Sequence, residues 1–228
     1  MPFTRYAVFV TPAPGPLADF CAAWLGWDAA EGVVRAHPDL GTLPRPVAAI
    51  TATPRKYGFH GTVKPPFRLA EGSSEEGLRA ALAALCTDAA PVDASRLEVA
   101  ELGPFLALRP SGPVPDLDAL AARVVADLDG FRAPPTEAEL ARRRAAGLSP
   151  SQEAHLMRWG YPFVMDDFHY HMTLTGPLPD DERGEVRAAL AAHLAPLVPD
   201  PFPVTDLTLL GEGADGRFRH LARLPLAG

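Results

Sequence analysis

Tyr57-Gly58-Phe59-His60-Gly61-Thr62-Val63-Lys64 is one of two stretches in which a threonine follows a histidine by two places. The other is His169-Tyr170-His171-Met172-Thr173-Leu174-Thr175. Both stretches are rich in the β-branched and aromatic residues that favour strands. We therefore predict one strand over residues 58–67 and another over residues 168–175, each carrying a histidine-x-threonine (HxT) motif.

Alternation along these strands separates polar from apolar side chains, because successive residues of a strand point to opposite sides of the sheet. One face of the first strand carries His60, Thr62 and Lys64. The second strand turns its apolar residues to the core, and its other face carries His169, His171, Thr173 and Thr175. Each strand is thus expected to present an imidazole and a hydroxyl away from the core.

The segments that follow the two motifs are also alike. Residues 79–84 and 187–192 both read Arg-Ala-Ala-Leu-Ala-Ala, and residues 97–99 resemble residues 207–209. The order motif, helix, strand recurs at nearly constant spacing, which indicates an internal duplication. We predict an α+β fold: a bilobal, pseudo-twofold domain over residues 1–228, with two antiparallel sheets and flanking helices around a central cleft. A helical insertion occupies about residues 112–165.

Composition limits the classes of function. The chain has 228 residues, 47% of them apolar, and a net charge of −7. An acidic protein is a poor partner for long nucleic acids, and the arginine run at 142–144 is typical of a solvated helix face. Nothing in the sequence resembles a membrane span or a signal peptide. We therefore expect a cytoplasmic protein without a membrane partner; the sequence indicates no oligomeric state.

Two imidazoles related by a pseudo-twofold axis suit the cleavage of a phosphodiester. That reaction needs a base at the attacking oxygen and an acid at the leaving oxygen, on opposite sides of phosphorus. A histidine pKa near 6.5 allows one ring to be neutral and the other protonated. We predict His60 and His171 as this pair. Thr62 and Thr173 are predicted to donate hydrogen bonds to the non-bridging oxygens.

The two HxT motifs resemble those of the two-histidine (2H) phosphoesterase superfamily. Longer strings are similar to a branch of it that is associated with phosphonate-utilisation operons: Arg5-Tyr6-Ala7, Ala23-Trp24-Leu25-Gly26, Lys64-Pro65-Pro66-Phe67 and Trp159-Gly160-Tyr161-Pro162. The resemblance implies cleavage of a small phosphodiester or cyclic phosphate without metal or cofactor. A sugar cyclic phosphate formed during phosphonate breakdown is a reasonable substrate.

Four further residues are candidates for substrate binding. Lys64 and His169 share the predicted active faces, and Arg55 and Tyr57 lead into the first motif strand. The two lysines of the chain, Lys56 and Lys64, both lie within four positions of His60. A compact ammonium near the phosphate would explain that clustering.

Two alternative functions remain open. His169 and His171 form an HxH pair, which metal-dependent hydrolases use on a strand when a third ligand is available. The protein could also bind a phosphorylated metabolite without turnover, although arginines alone would serve that purpose.

Overall fold

The computed structural model describes residues 3–145 and 147–228. Its helices are α1 (Pro16–Leu25), α2 (Val47–Ile50), α3 (Glu75–Thr87), α4 (Pro115–Asp127), α5 (Glu137–Arg144), α6 (Pro150–Trp159) and α7 (Asp180–Leu194). Its strands are β1 (Tyr6–Val10), β2 (Trp27–Asp28), β3 (Val33–Val34), β4 (Gly61–Phe67), β5 (Val92–Asp93), β6 (Leu97–Leu102), β7 (Phe105–Pro110), β8 (Met172–Thr173), β9 (Pro203–Val204), β10 (Asp206–Glu212) and β11 (Phe218–Pro225).

Seven strands form one antiparallel sheet in the order β11-β10-β1-β4-β8-β7-β6. The predicted α+β class with antiparallel strands is confirmed. The strands expected in two sheets are, however, joined through the pairing of β4 with β8, where Gly61 is the register partner of Met172. Two small two-stranded sheets, β2-β3 and β5-β9, lie outside this sheet.

Apart from the edge strand β11, the strand order is symmetric about the β4–β8 pair. One unit runs β1-α1-β4-α3-β6 and the other runs β7-α4-β8-α7-β10, so that equivalent strands are equally far from the centre. Each unit also crosses the centre: β6, which follows β4 along the chain, lies on the side of β8, and β10 lies on the side of β4. This interleaved arrangement agrees with the duplication seen in the sequence. The stretch 112–165 contains α4, α5 and α6.

The core lies between one face of the sheet and the helices. In β1, Tyr6, Val8 and Val10 belong to the large cluster that includes the apolar residues of α3 and α4. Phe9 points the other way and packs in a smaller cluster with Phe218. The sheet is therefore covered by helices on one side, and its other side is available for the HxT side chains.

Helix boundaries follow the expected capping chemistry at α5 and α6. Thr136 with Glu139, and Ser149 with Gln152, form capping boxes. Asp116 does not cap α4: it lies in the first turn, Val114 occupies the cap position, and Pro115 is the first helical residue. Among the helices of residues 3–145 and 147–228, none is both long and apolar enough to cross a membrane.

Both motif strands begin later than predicted. β4 starts at Gly61 instead of residue 58, and β8 is limited to Met172 and Thr173. A single register pair joins the two strands, so the residues before it have no ladder partner. The alternation of burial nevertheless extends backwards, since Tyr170 is 4% exposed whereas His169 is exposed. Each histidine therefore lies immediately before the regular strand.

Candidate active site

The central strand pair brings the two HxT motifs side by side. Gly61 and Met172, the middle residues of the motifs, are partners in an antiparallel pair. This register sets His60 opposite Thr173 and Thr62 opposite His171, with cross-strand neighbours about 4.5–5.5 Å apart at Cβ. Met172 is fully buried in the helix-covered core. The two histidines and two threonines thus lie together on the face away from the helices.

His60 is fixed by contacts on both sides of its ring. Its Nδ1–H donates to the carbonyl of Gly58 at 2.9 Å, and Nε2 lies 3.2 Å from the Thr62 hydroxyl. Since Nδ1 carries the proton, neutral Nε2 accepts the hydrogen bond from Thr62. The ring also stacks on Phe9, with 3.8 Å between centroids. His60 is therefore held with Nε2 as its unprotonated, basic nitrogen.

His171 repeats the same local bond in the second unit. Its Nδ1–H donates to the carbonyl of His169 at 2.8 Å, which is again the residue two places before it. The Phe105 ring lies near it, at 6.1 Å between centroids. Both imidazoles therefore bond through Nδ1 to the carbonyl two residues before them, which makes Nε2 the basic nitrogen of each neutral ring, as the pseudo-twofold relation predicts.

Burial lowers the pKa of both histidines. For His60 it lowers the pKa to about 4, against the bond to Gly58, and the charge of His171 acts in the same direction. For His171 burial again lowers the pKa, opposed by the bond to the His169 carbonyl and assisted by the charges of His169 and Arg109. His60 is consequently neutral at pH 7, which is the state a general base requires.

A cavity of about 410 Å³ opens beside the motifs. Thr62, His169 and His171 contribute its polar side, and aromatic residues supply much of the remainder. Its lining residues are Thr62, Val63, Pro65, Leu102, Phe105, Tyr161, Phe163, Asp167, Phe168, His169 and His171. This volume suits a small ligand in a mostly apolar cleft with a few polar groups.

Lys64 lies on the face opposite the HxT side chains. The prediction that it shares a face with His60 and Thr62 is therefore wrong. Phe9 pairs with Thr62, whereas Val8 pairs with Lys64, which leaves one extra residue in β4. Such a β-bulge interrupts the alternation of faces and turns Lys64 toward the helices. There Lys64 is 2% exposed, and its Nζ donates to the Val125 carbonyl at 3.0 Å. It neutralises the C-terminal end of α4.

Arg55 is also outside the site. Its guanidinium donates to the carbonyls of Leu25 at 2.8 Å and Ala48 at 2.7 Å, and to the Thr51 hydroxyl at 2.9 Å. These bonds tie the end of α1 to α2. The structure therefore places the Arg55 guanidinium among backbone carbonyls of the first two helices, and substrate binding by Arg55 stays a prediction.

Tyr57 and His169 do lie next to the motifs. The Tyr57 ring is 5.7 Å from that of His60 and stacks on Phe218 at 5.1 Å, centroid to centroid. His169 is exposed, lines the cavity, and supplies the carbonyl that holds His171. Both residues are close enough to contact a ligand bound between the histidines.

Sequence analysis missed one cation at the site, Arg109. Ala107 pairs with Thr173, so Arg109, two residues further along β7, lies on the same face opposite His171. It is exposed, and its charge contributes to lowering the pKa of His171, after the larger effect of burial. The alternation of faces along residues 105–109 is the signal in the sequence that could have identified it.

The HxH pair, His169 and His171, has no third metal ligand among the residues that the structure describes. Over residues 3–145 and 147–228, no group of three or more His, Cys, Asp or Glu side chains is placed to hold a metal ion. His169 and His171 alone would leave a metal without the third protein ligand that hydrolytic sites use. The geometry does not support the metal-dependent alternative.

Comparisons with solved structures return phosphoesterases at low similarity. E. coli LigT complexed with 3′-AMP aligns over 99% of both chains at 17% identity and a TM-score of 0.46. E. coli LigT complexed with phosphate aligns over 99% of both chains at 14% identity and a TM-score of 0.43.

Curated relatives are closer in sequence but longer. Ribose 1,5-bisphosphate phosphokinase PhnN from Janthinobacterium sp. (strain Marseille) is 38% identical over 99% of this chain and 51% of its own length. The protein of the same name from Laribacter hongkongensis (strain HLHK9) is 34% identical over 96% of this chain and 51% of its own length. The chain spans about half the length of the curated relatives it matches.

One family model matches residues 62–219, under the description "Protein of unknown function (DUF1045)". The match begins at Thr62, two residues after the first motif histidine, and includes both His171 and Thr173. It extends from β4 into β11 and so contains most of the central sheet. Because this match covers more than two thirds of the sequence, the chain belongs to the DUF1045 family.

Proposed function

We propose that this protein is a metal-independent 2H phosphodiesterase that hydrolyses a small or cyclic phosphate ester. The observation that carries the proposal is the matched pair of histidines, each bonding through Nδ1 to the carbonyl two residues before it. Both present Nε2 on the same face of adjacent strands. A pair of imidazoles so placed can act at opposite oxygens of one phosphate.

His60 is the general base in this mechanism, and His171 is the general acid. Neutral Nε2 of His60 takes a proton from a water molecule, whose oxygen attacks phosphorus in line with the leaving oxygen. The bond to the leaving oxygen breaks as protonated His171 gives that oxygen its proton. One P–O bond forms and one breaks, and the proton passes in effect from one histidine to the other. Thr62 and Thr173 donate to the non-bridging oxygens as their charge grows.

The name of the curated relatives suggests a kinase, but this chain lacks one common kinase motif. A P-loop holds phosphates with a glycine-rich loop that ends in Gly-Lys-Ser or Gly-Lys-Thr. The two lysines here follow Arg55 and Val63 instead. The phosphorylated ribose in the relatives' name is compatible with a sugar phosphate as the ligand. The resemblance to the 2H branch of phosphonate-utilisation operons implies a role in phosphonate breakdown, with a sugar cyclic phosphate as substrate.

A panel of cyclic phosphates tests the proposed function. Nucleoside 2′,3′-cyclic phosphates and sugar cyclic phosphates are incubated with the purified protein in excess chelator, and the products are followed by phosphorus NMR. We expect conversion of at least one cyclic ester to a monoester, at a rate the chelator does not reduce. Binding without any conversion would favour the non-catalytic alternative, and activity restored only by a divalent metal would favour the metal-dependent one.

The rate should depend on pH as a bell displaced toward acid. A histidine whose pKa is lowered is neutral above that pKa, so the base is ready once the pH exceeds about 4, the value for His60. The acid must be protonated, and the pKa of His171 is lowered by burial from 6.5. We therefore expect kcat/KM to peak between these two values. Because the two histidines interact, the acid and alkaline limbs of the pH profile report apparent pKa values of the pair and not of either residue alone. A profile that rises steadily to pH 9 would contradict this assignment.

A further inference from the structure

The cavity lined by Thr62 and His171 is called the catalytic cavity below. A second cavity, of about 40 Å³, lies beside it and is lined by arginines; it is called the arginine cavity. This volume has room for about three water molecules, which is close to the size of a phosphate group. Its charged lining consists of Glu139 and five arginines: Arg5, Arg68, Arg132, Arg142 and Arg143. In a protein of net charge −7, this is a local concentration of positive charge.

Three of these arginines are already paired. Arg5 bonds to Glu212 at 2.6 Å, Arg68 to Glu139 at 3.2 Å, and Arg132 to Asp129 at 2.8 Å. The remaining two, Arg142 and Arg143, have no ion pair within residues 3–145 and 147–228. The third arginine of the same run, Arg144, is paired with Glu153 at 2.6 Å and does not line the cavity.

The arginine cavity adjoins the catalytic cavity along two chain segments. Pro65 lines the catalytic cavity and Pro66 the arginine cavity, and the same holds for Tyr161 and Gly160. The Arg143 guanidinium lies over the Tyr161 ring, 4.5 Å from its centroid. The Tyr161 ring therefore lies between Arg143 and a ligand that occupies the larger cavity.

We propose that Arg142 and Arg143 form a subsite for a second phosphate of the substrate, which is then a small cyclic phosphodiester carrying a terminal phosphomonoester. This inference rests on the proposed function for the identity of the first site. Guanidinium groups match phosphate oxygens in bidentate geometry and remain charged at all physiological pH values. The terminal phosphate would hold the substrate while the cyclic ester lies between the histidines.

Binding of two stable probes tests the subsite without relying on turnover. Adenosine 3′-monophosphate and adenosine 3′,5′-bisphosphate differ by one phosphate, and their dissociation constants are measured by calorimetry on the intact protein. We expect the bisphosphate to bind at least about tenfold more tightly, as charge-assisted hydrogen bonds predict. This gain should fall to less than about twofold in Arg142→Met/Arg143→Met. It should also be reduced in the single variant Arg142→Met, which changes an exposed side chain and so leaves the core intact.

Arg144→Met is the matched control. It removes the same charge from the same helix but not from the cavity, so the gain from the second phosphate should persist. Equal binding of the two probes by the parent, or a gain that survives both arginine changes, would overturn the subsite. The proposed function is judged separately by the cyclic phosphate panel: probe discrimination without turnover would leave the subsite standing and reject the phosphodiesterase.

Discussion

Replacing either motif histidine should nearly abolish turnover. We expect His60→Ala and His171→Ala each to lower kcat by ~10²–10⁴-fold, because each removes one of the two proton transfers. The double variant should lose little more than either single variant, since a base without its acid is already ineffective. The measurement is kcat on whichever cyclic phosphate the panel identifies.

The control for these variants is a histidine outside the candidate active site. His193→Ala changes an exposed histidine near the end of α7, whose Nδ1 bonds to the Ala189 carbonyl of its own helix. It should keep the parent rate. His171→Ala should melt near the parent temperature, because its ring lines the cavity. His60→Ala loses the stacking on Phe9, so variants that lack this ring are assayed well below their own melting temperature. Losses that multiply in the double variant would indicate two independent binding roles instead of an acid–base pair.

Gly61→Ala should destabilise the protein and impair the site at once. An ideal Cβ on Gly61 would lie 2.5 Å from Cζ of Tyr170 and 2.6 Å from its hydroxyl oxygen. Tyr170 is 4% exposed and cannot move without repacking the core. Overpacking of this kind costs about 1–3 kcal/mol. We expect the loss in denaturant unfolding, together with a fall in kcat, because Gly61 pairs with Met172 at the centre of both motifs.

The matched control is another glycine-to-alanine change. Gly184 lies in α7 and has no atom within 4 Å of an ideal Cβ, so Gly184→Ala should stabilise the helix by up to about 1 kcal/mol. Shortening the clashing ring with Tyr170→Leu should restore part of the activity lost in Gly61→Ala. A Gly61→Ala protein as stable and active as the parent would show that the two strands are not as tightly apposed as the structure indicates.

Strand alternation and duplication made the central motifs predictable from sequence. Alternation within each strand predicts that its histidine and threonine share a face, and the repeated segment predicts that the two strands are equivalent. The structure places all four side chains on one face: His60, Thr62, His171 and Thr173. Capping boxes at α5 and α6 were predictable for a similar reason, since each depends on residues three apart. These features need only local chemistry.

The face of Lys64 and the hydrogen bonds of Arg55 could not be predicted, because both depend on distant partners. The bulge that reverses the face of Lys64 arises from its register with β1, which no local pattern of β4 reveals. The Arg55 guanidinium donates to carbonyls of α1 and α2, and these two helices are close together only in the tertiary fold. The joining of the two predicted sheets likewise depends on a single long-range pair, Gly61 with Met172.

The crossing of the two units at the β4–β8 pair has a consequence for how such a chain can be divided. A fragment with only the first unit would keep β1 next to β4, but its β6 would have no β7 or β8 to join. Two identical copies could satisfy one another by exchanging that last strand, forming an intertwined dimer with two equivalent HxT motifs at its axis. The present chain has the architecture of that dimer fused into one polypeptide, which frees its two histidines to differ in environment and so to take different roles.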